Sequence, residues 1–139
     1  MNALQDWTLA SLRAAALAPI AAFLLHIFMS KVLGSYGAIP NLDIPMHFLG
    51  GFAIAFFFWR SVSCPEAQPV LGQLTPFGRF LLSLTALGAT TVLWEFAEWS
   101  GDRLGLTHAQ SGLDDTMFDM FVGICGGLCW LIAAHRRAR

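Results

Sequence analysis

The chain has 139 residues, 56% of them hydrophobic and only 12% charged, with a formal net charge of −1 and a mean hydropathy of +0.61. Such a composition excludes an ordinary soluble domain and places the chain in a lipid bilayer, while the small net charge and the lack of any basic stretch before the C-terminal tail exclude nucleic acid as its main partner. Cys64, Cys125 and Cys129 form no Cys-x-x-Cys pair and no disulfide framework.

Four apolar stretches approach the ~20 residues that a ~30 Å hydrocarbon core requires. The first runs from about Leu12 to Leu33. Arg13 before an alanine-rich run resembles the start of a signal peptide, but the apolar length exceeds a usual signal core and no small-residue cleavage site follows Met29, so a retained helix is expected. Pro19 should kink it, and Gly34 with Gly37 should stop it. The second stretch, Ile44 to Val62, has Asn41 or Asp43 available as cap and Pro45 in its first turn. Pro65, Pro69, Gly72 and Pro76 break regular structure over 63–76. The third stretch, Phe77 to Trp99, is closed by Gly101 and Gly105. Ser111 followed by Asp114 resembles a capping box opening the fourth, Thr116 to His135. The expected fold is all-α: a polytopic membrane protein whose one domain, residues 1–139, is an antiparallel bundle of four transmembrane helices spanning about 12–33, 44–62, 77–99 and 116–135.

Basic residues set the expected orientation. Arg13, Arg60, Arg79, Arg136, Arg137 and Arg139 all fall at one end of the spans, so the positive-inside rule puts both termini and the middle loop in the cytoplasm. Lys31 and Arg103 are the exceptions, positioned to neutralise charge at the other end.

That other end is acidic. Of nine acidic residues, Asp43, Glu95, Glu98, Asp102, Asp114, Asp115 and Asp119 lie there. Asp43 is seventeen residues from Arg60, Glu95 sixteen from Arg79 and Asp119 seventeen from Arg136; at 1.5 Å per residue these are separations of about 24 to 26 Å, one common depth near the outer edge of the hydrocarbon. His26 on the first helix lies near the level of His47. Within each helix the spacing is also telling: Asp43 with His47 and Asp115 with Asp119 are four apart, Glu95 with Glu98 three apart, so each pair shares a face. Like charges one turn apart repel unless a cation or a shared proton lies between them. A divalent metal ion (Zn, Mn, Fe or Mg) is the economical solution, because carboxylate and imidazole on facing helices are the ligands of bundle-core metal sites. His47, Glu95, Glu98 and Asp119 are the expected metal ligands, and Asp43 and Asp115 the expected general bases.

Each residue also has a plainer role. Asp43 and Asp114 can cap helices, and Asp102 can be a solvated loop charge paired with Arg103. His26 can be a structural hydrogen bonder. Trp7 and Trp59 at the inner surface, and Trp94 and Trp99 at the outer, read as interfacial anchors. Gly50 with Gly51, Ala86 with Gly88 and Ala89, and Gly123 with Gly126 and Gly127 offer small surfaces for close helix approach.

The strings Asp43-Ile-Pro-Met-His47-Phe-Leu-Gly-Gly51, Trp94-Glu-Phe-Ala-Glu98-Trp99 and Gly112-Leu-Asp-Asp-Thr-Met-Phe-Asp119-Met-Phe-Val-Gly123 resemble those of the YjdF-like small bacterial inner-membrane proteins and, more distantly, the VanZ-like group. The resemblance covers the last three helices. It implies a multi-pass protein of the bacterial inner membrane and no particular reaction.

No Gly-rich phosphate loop, GxSxG elbow or HExxH is present. Three functions fit the residues: a metal-dependent membrane enzyme, hydrolase or transferase, acting on a lipid or lipid-linked substrate; a proton or cation pathway; or a non-catalytic subunit, as a homo-oligomer or in a membrane complex, whose polar cluster locks its helices. A pathway needs polar residues deeper in the membrane, where only Ser83, Thr85, Thr90, Thr91 and His26 are available.

Overall fold

The computed structural model describes residues 2–34, 39 and 41–138; Gly37, Arg139 and the side chain of Lys31 lie outside the described residues. Helix α1 covers Ala3–Ala15 and α2 Leu17–Ile27, the latter running into a π-helical turn at Phe28–Val32. Helix α3 covers Asp43–Ser63. A 3₁₀ turn at Pro65–Ala67 and the one-turn α4, Gln68–Leu71, lead to α5, Pro76–Arg103, and then α6, Leu113–Arg137. The described residues contain no strand, so the chain is all-α. Helices α5 and α6 are each long and apolar enough to cross a membrane, and the count rises to four if each of two bent helix pairs is one span.

The N-terminal helix starts well before Leu12, where the apolar run begins. Its signal is local and polar: Asn2 Oδ1 accepts the Gln5 amide at 2.9 Å and Gln5 Oε1 accepts the Asn2 amide at 3.0 Å, a capping box. Helix α1 then packs on the far end of α3, where Trp7 Nε1 donates to the Ser61 carbonyl at 2.9 Å and the Ser11 and Ser61 hydroxyls bond at 2.7 Å. The bend between Ala3–Ala15 and Leu17–Ser30 is 58°. Pro19 explains its position. Lacking an N–H, the proline leaves the Ala15 carbonyl without its helical donor, and its ring crowds that carbonyl, so the helix breaks one turn before the proline.

The segment between α3 and α5 is more regular than its prolines suggest. Pro65 and Pro69 occupy first-turn positions of the two short helical turns, where no amide is needed, and the pair Asp43–Ser63 and Pro65–Leu71 bends by 71°. Thr75 caps α5 by accepting the Gly78 amide at 3.0 Å. Neither expected cap of α3 is used: Leu42 stands at the N-cap without a side-chain bond, and Asn41 has left-handed backbone, φ 59°. The Ser111–Asp114 capping box is also absent. Gly112 is the N-cap of α6, and the bond made there runs from the Ser111 amide to Asp115 Oδ2 at 3.2 Å.

Helices α3, α5 and α6 pack against one another, most extensively α3 on α6, with α1 and α2 laid on α3. Glycine makes the α3–α6 contact possible. A Cβ on Gly51 would overlap the Gly123 backbone, and one on Gly126 would overlap the Phe48 backbone; one on Gly127 would strike the Leu87 side chain. Gly50 and Gly88, expected to share this role, face open space. Away from the polar end the core is closed: Ala55, Leu87 and Leu131 have no exposure, with Trp59 and Ala134 beside them, and Ser83 is also fully buried, its hydroxyl unbonded. Trp59 is therefore a core residue and no interfacial anchor. The outward faces carry large apolar side chains such as Leu24, Leu93, Phe96 and Phe121, the surface a lipid solvent requires.

Candidate metal centre

Three helices bring their polar pairs together at one end of the bundle. The side chains sort into two triads, each with one ligand atom per residue lying within 4.8 Å of the others: His47, Glu95 and Glu98, and Asp43, Asp115 and Asp119. Helix α3 serves both, His47 facing the α5 pair and Asp43 the α6 pair. The triads meet where His47 Nε2 lies 3.5 Å from Asp119 Oδ2. Sequence spacing had assigned Asp119 to one ligand set with His47, Glu95 and Glu98; the structure brings all six residues together and groups Asp119 with Asp43 and Asp115.

Burial makes the cluster consequential. Glu95 and Asp119 are each 5% exposed, and the other four are partly buried. Among the described residues no Lys or Arg pairs with any of the five carboxylates. Two like charges 4 Å apart repel by about 4 kcal/mol at an effective dielectric of ~20, so this layer needs positive charge or protons to persist. The Asp119 Oδ1 oxygen is buried and makes no hydrogen bond, a cost of roughly 1–3 kcal/mol for a neutral group and more for a charged one.

Neighbours orient the acids. Trp94 Nε1 donates to Glu98 Oε1 at 2.8 Å, one helical turn away, so Trp94 is part of the site. Its ring meets those of Phe23 at 6.0 Å and His26 at 5.5 Å, both edge-on. Gln110 reaches back from the α5–α6 loop, its Nε2 donating to the Glu95 carbonyl at 3.2 Å and weakly to Oε2 at 3.4 Å. That loop is folded by Asp102, whose carboxylate accepts the Thr107 hydroxyl at 2.5 Å, the Ala109 amide at 2.9 Å and the Gln110 amide at 3.0 Å. Asp102 is thus a loop clamp and not the partner of Arg103, which lies 5.6 Å over the Trp99 ring. A Cβ on Gly101 would sit 2.6 Å from Thr107 Oγ1 and displace the side chain that Asp102 holds. Asp114 is exposed and belongs to neither triad. Trp94 was discoverable from its four-residue spacing to Glu98; nothing in the sequence marks Gln110.

A cavity of about 140 Å³ opens beneath the acids. His26, His47, Glu95 and Asp119 line its polar end, and Phe23, Met46, Ile54 and Leu87 its apolar walls. The Thr90 and Thr91 hydroxyls on its wall are bonded to their own helix, at Ala86 and Gly88 carbonyls, both 2.8 Å.

An apolar exterior, spans long enough for a bilayer and a buried polar layer between helices define a multi-pass membrane protein. The chain belongs to the family described as "Predicted membrane protein (DUF2238)", whose model matches residues 3–139. It is similar to an "Uncharacterized protein" of Thermotoga maritima, 33% identical over 110 residues that make up 78% of this chain and 54% of that protein; the chain spans about half the length of this curated relative. No solved structure matches it.

Proposed function

We propose that this protein is a metalloprotein of the bacterial inner membrane, related to the YjdF-like proteins, with four spans, cytoplasmic termini and an outward-facing site that holds a divalent cation between α3, α5 and α6. The observation that carries this reading is the buried, unbonded Asp119 Oδ1 beside five other ligating residues. A cation would satisfy that oxygen and offset the repulsion among the carboxylates at once. An imidazole with carboxylates suits Zn, Mn or Fe, and an all-carboxylate set suits Mg or Mn.

Held by His47, Glu95, Glu98 and Asp119, a cation would supply Lewis-acid polarisation at the head of a lipid or lipid-linked substrate, whose apolar part would lie along Phe23, Met46, Ile54 and Leu87, and a metal-dependent hydrolase or transferase is the proposed reaction class. A proton pathway is the weaker reading, because Thr90 and Thr91 are bonded to their own helix and Ala55, Leu87 and Leu131 close the core below. Elemental analysis of the protein purified in detergent tests the proposal. Near-stoichiometric metal is expected, falling to background in the Glu95→Ala/Asp119→Ala variant. Metal-free wild-type protein with normal folding would remove it.

A further inference from the structure

Six candidate ligands could fill the octahedral shell of one divalent ion, but they are grouped as two triads and not as a single shell. The His47, Glu95 and Glu98 ligand atoms form one group, all within 4.8 Å of one another, and the Asp43, Asp115 and Asp119 atoms form another, with His47 Nε2 and Asp119 Oδ2 3.5 Å apart between them. We infer that the centre holds two cations side by side, a nitrogen-containing site between α3 and α5 and an all-oxygen site between α3 and α6; this rests on the proposal that the cluster binds metal at all.

Charge balance favours two ions. The layer contains five carboxylates with no Lys or Arg partner among the described residues. With all five ionised, one divalent ion leaves three negative charges, and two leave one. Asp119 supplies the independent sign of a ligand: its side chain is 6% exposed, one oxygen faces His47, and the other is buried without a bond. A buried carboxylate with one oxygen beside His47 and the other unbonded has a donor free for a second ion, and two-metal centres hold their ions roughly 3.5–4 Å apart. The helix pattern supports the same division. Asp43 and His47 lie one turn apart on one face of α3, so that helix contributes to both triads, while α5 supplies the remaining pair of one and α6 that of the other.

The two sites differ in chemistry. The imidazole-containing triad selects transition ions, whereas the aspartate triad is a hard-oxygen site that accepts Mg²⁺ or Mn²⁺. Two adjacent cations present a receptor for an anionic oxygen group spanning both, the chemistry of a phosphate or phosphate ester at the head of the apolar cavity.

The test uses the full chain in detergent, stripped with a chelator and titrated with MnCl₂ alone, with bound metal counted by elemental analysis and the environment of the ions read by electron paramagnetic resonance. The expected result is saturation at two ions per chain with a spectrum broadened by Mn–Mn coupling. The Asp43→Asn/Asp115→Asn variant should saturate at one ion with an uncoupled six-line spectrum. Glu95→Gln/Glu98→Gln should also keep one ion, in the aspartate triad. Wild-type saturation at one uncoupled ion overturns the two-cation centre while leaving the metalloprotein reading standing. No binding overturns both. Two coupled ions in the Asp43/Asp115 variant would overturn the assignment of that triad. Because wild-type stoichiometry alone decides the main point, a variant that fails to fold does not protect it.

Discussion

Gly51 and Gly123 sit one helical turn below His47 and Asp119, so the closest backbone contact in the bundle also sets the spacing of the two residues that join the triads. Gly51→Ala tests both roles. The new Cβ would overlap the Gly123 backbone, and backbone cannot rotate away as a side chain can. Helices α3 and α6 must part by about 1–2 Å to restore ordinary carbon contacts of ~3.5 Å. Overpacking costs about 1–3 kcal/mol, and a clash with backbone lies at the upper end of that range; against a gain of about 0.5–1 kcal/mol from replacing glycine within a helix, the net loss is roughly 2–2.5 kcal/mol. The neighbouring Gly50 is the matched control, since a Cβ there meets nothing within 4 Å, and Gly50→Ala should stabilise by about 0.5–1 kcal/mol. Thermal unfolding in one detergent, followed by near-ultraviolet circular dichroism, should therefore move in opposite directions for two adjacent substitutions. Metal binding should follow the geometry: metal ligation tolerates only ~0.2 Å of displacement, so Gly51→Ala should weaken it at least ~10-fold. Equal or greater stability for Gly51→Ala than for wild type would refute the close α3–α6 contact.

Trp94→Phe keeps a ring against Phe23 and His26 but removes the donor to Glu98; metal titration should show affinity about 10-fold weaker with little change in unfolding temperature, and unchanged affinity would remove Trp94 as a positioning residue. Asp102→Ala should release the α5–α6 loop, so that trypsin cuts after Arg103 several-fold faster than in wild type, an outcome that the rival pairing of Asp102 with Arg103 on a solvated surface does not give. Metal loading should decline as pH falls from about 6.5 to 4, the ordinary imidazole and carboxylate range, because protons compete for the lone pairs that bind the ion; loading that is constant to pH 4 would point to ligands other than these.

Much of the bundle is legible in the sequence because hydropathy and the helical rise act along one dimension. Residue counts from Arg60, Arg79 and Arg136 set the common depth of Asp43, Glu95 and Asp119, and those helices do meet at that end. Depth says nothing about rotation around a helix axis, so the division into two triads could not be read in advance. The N-terminal helix was placed by its apolar run, although Asn2 and Gln5 spell a capping box that starts it earlier. Pro19 marks the bend in the sequence, and the position of the bend follows from the carbonyl four residues back. Aspartate capping misled at Asp43 and Asp114, because backbone geometry at Leu42 and Gly112 begins those helices without side-chain help. Gln110 was out of reach altogether: its contact with Glu95 exists only because Asp102 folds the loop behind it.

In the proposed centre, imidazole and carboxylates from α3, α5 and α6 ligate a divalent cation. X-ray absorption at the zinc edge, on stripped protein reloaded with one equivalent of Zn²⁺, tests it most directly. A shell of nitrogen and oxygen at about 2.0–2.2 Å, with the outer scattering of one imidazole lost in His47→Ala, is the predicted result. Sulfur scattering at about 2.3 Å, which would place the ion on Cys64, Cys125 or Cys129, or no retained zinc, would contradict it.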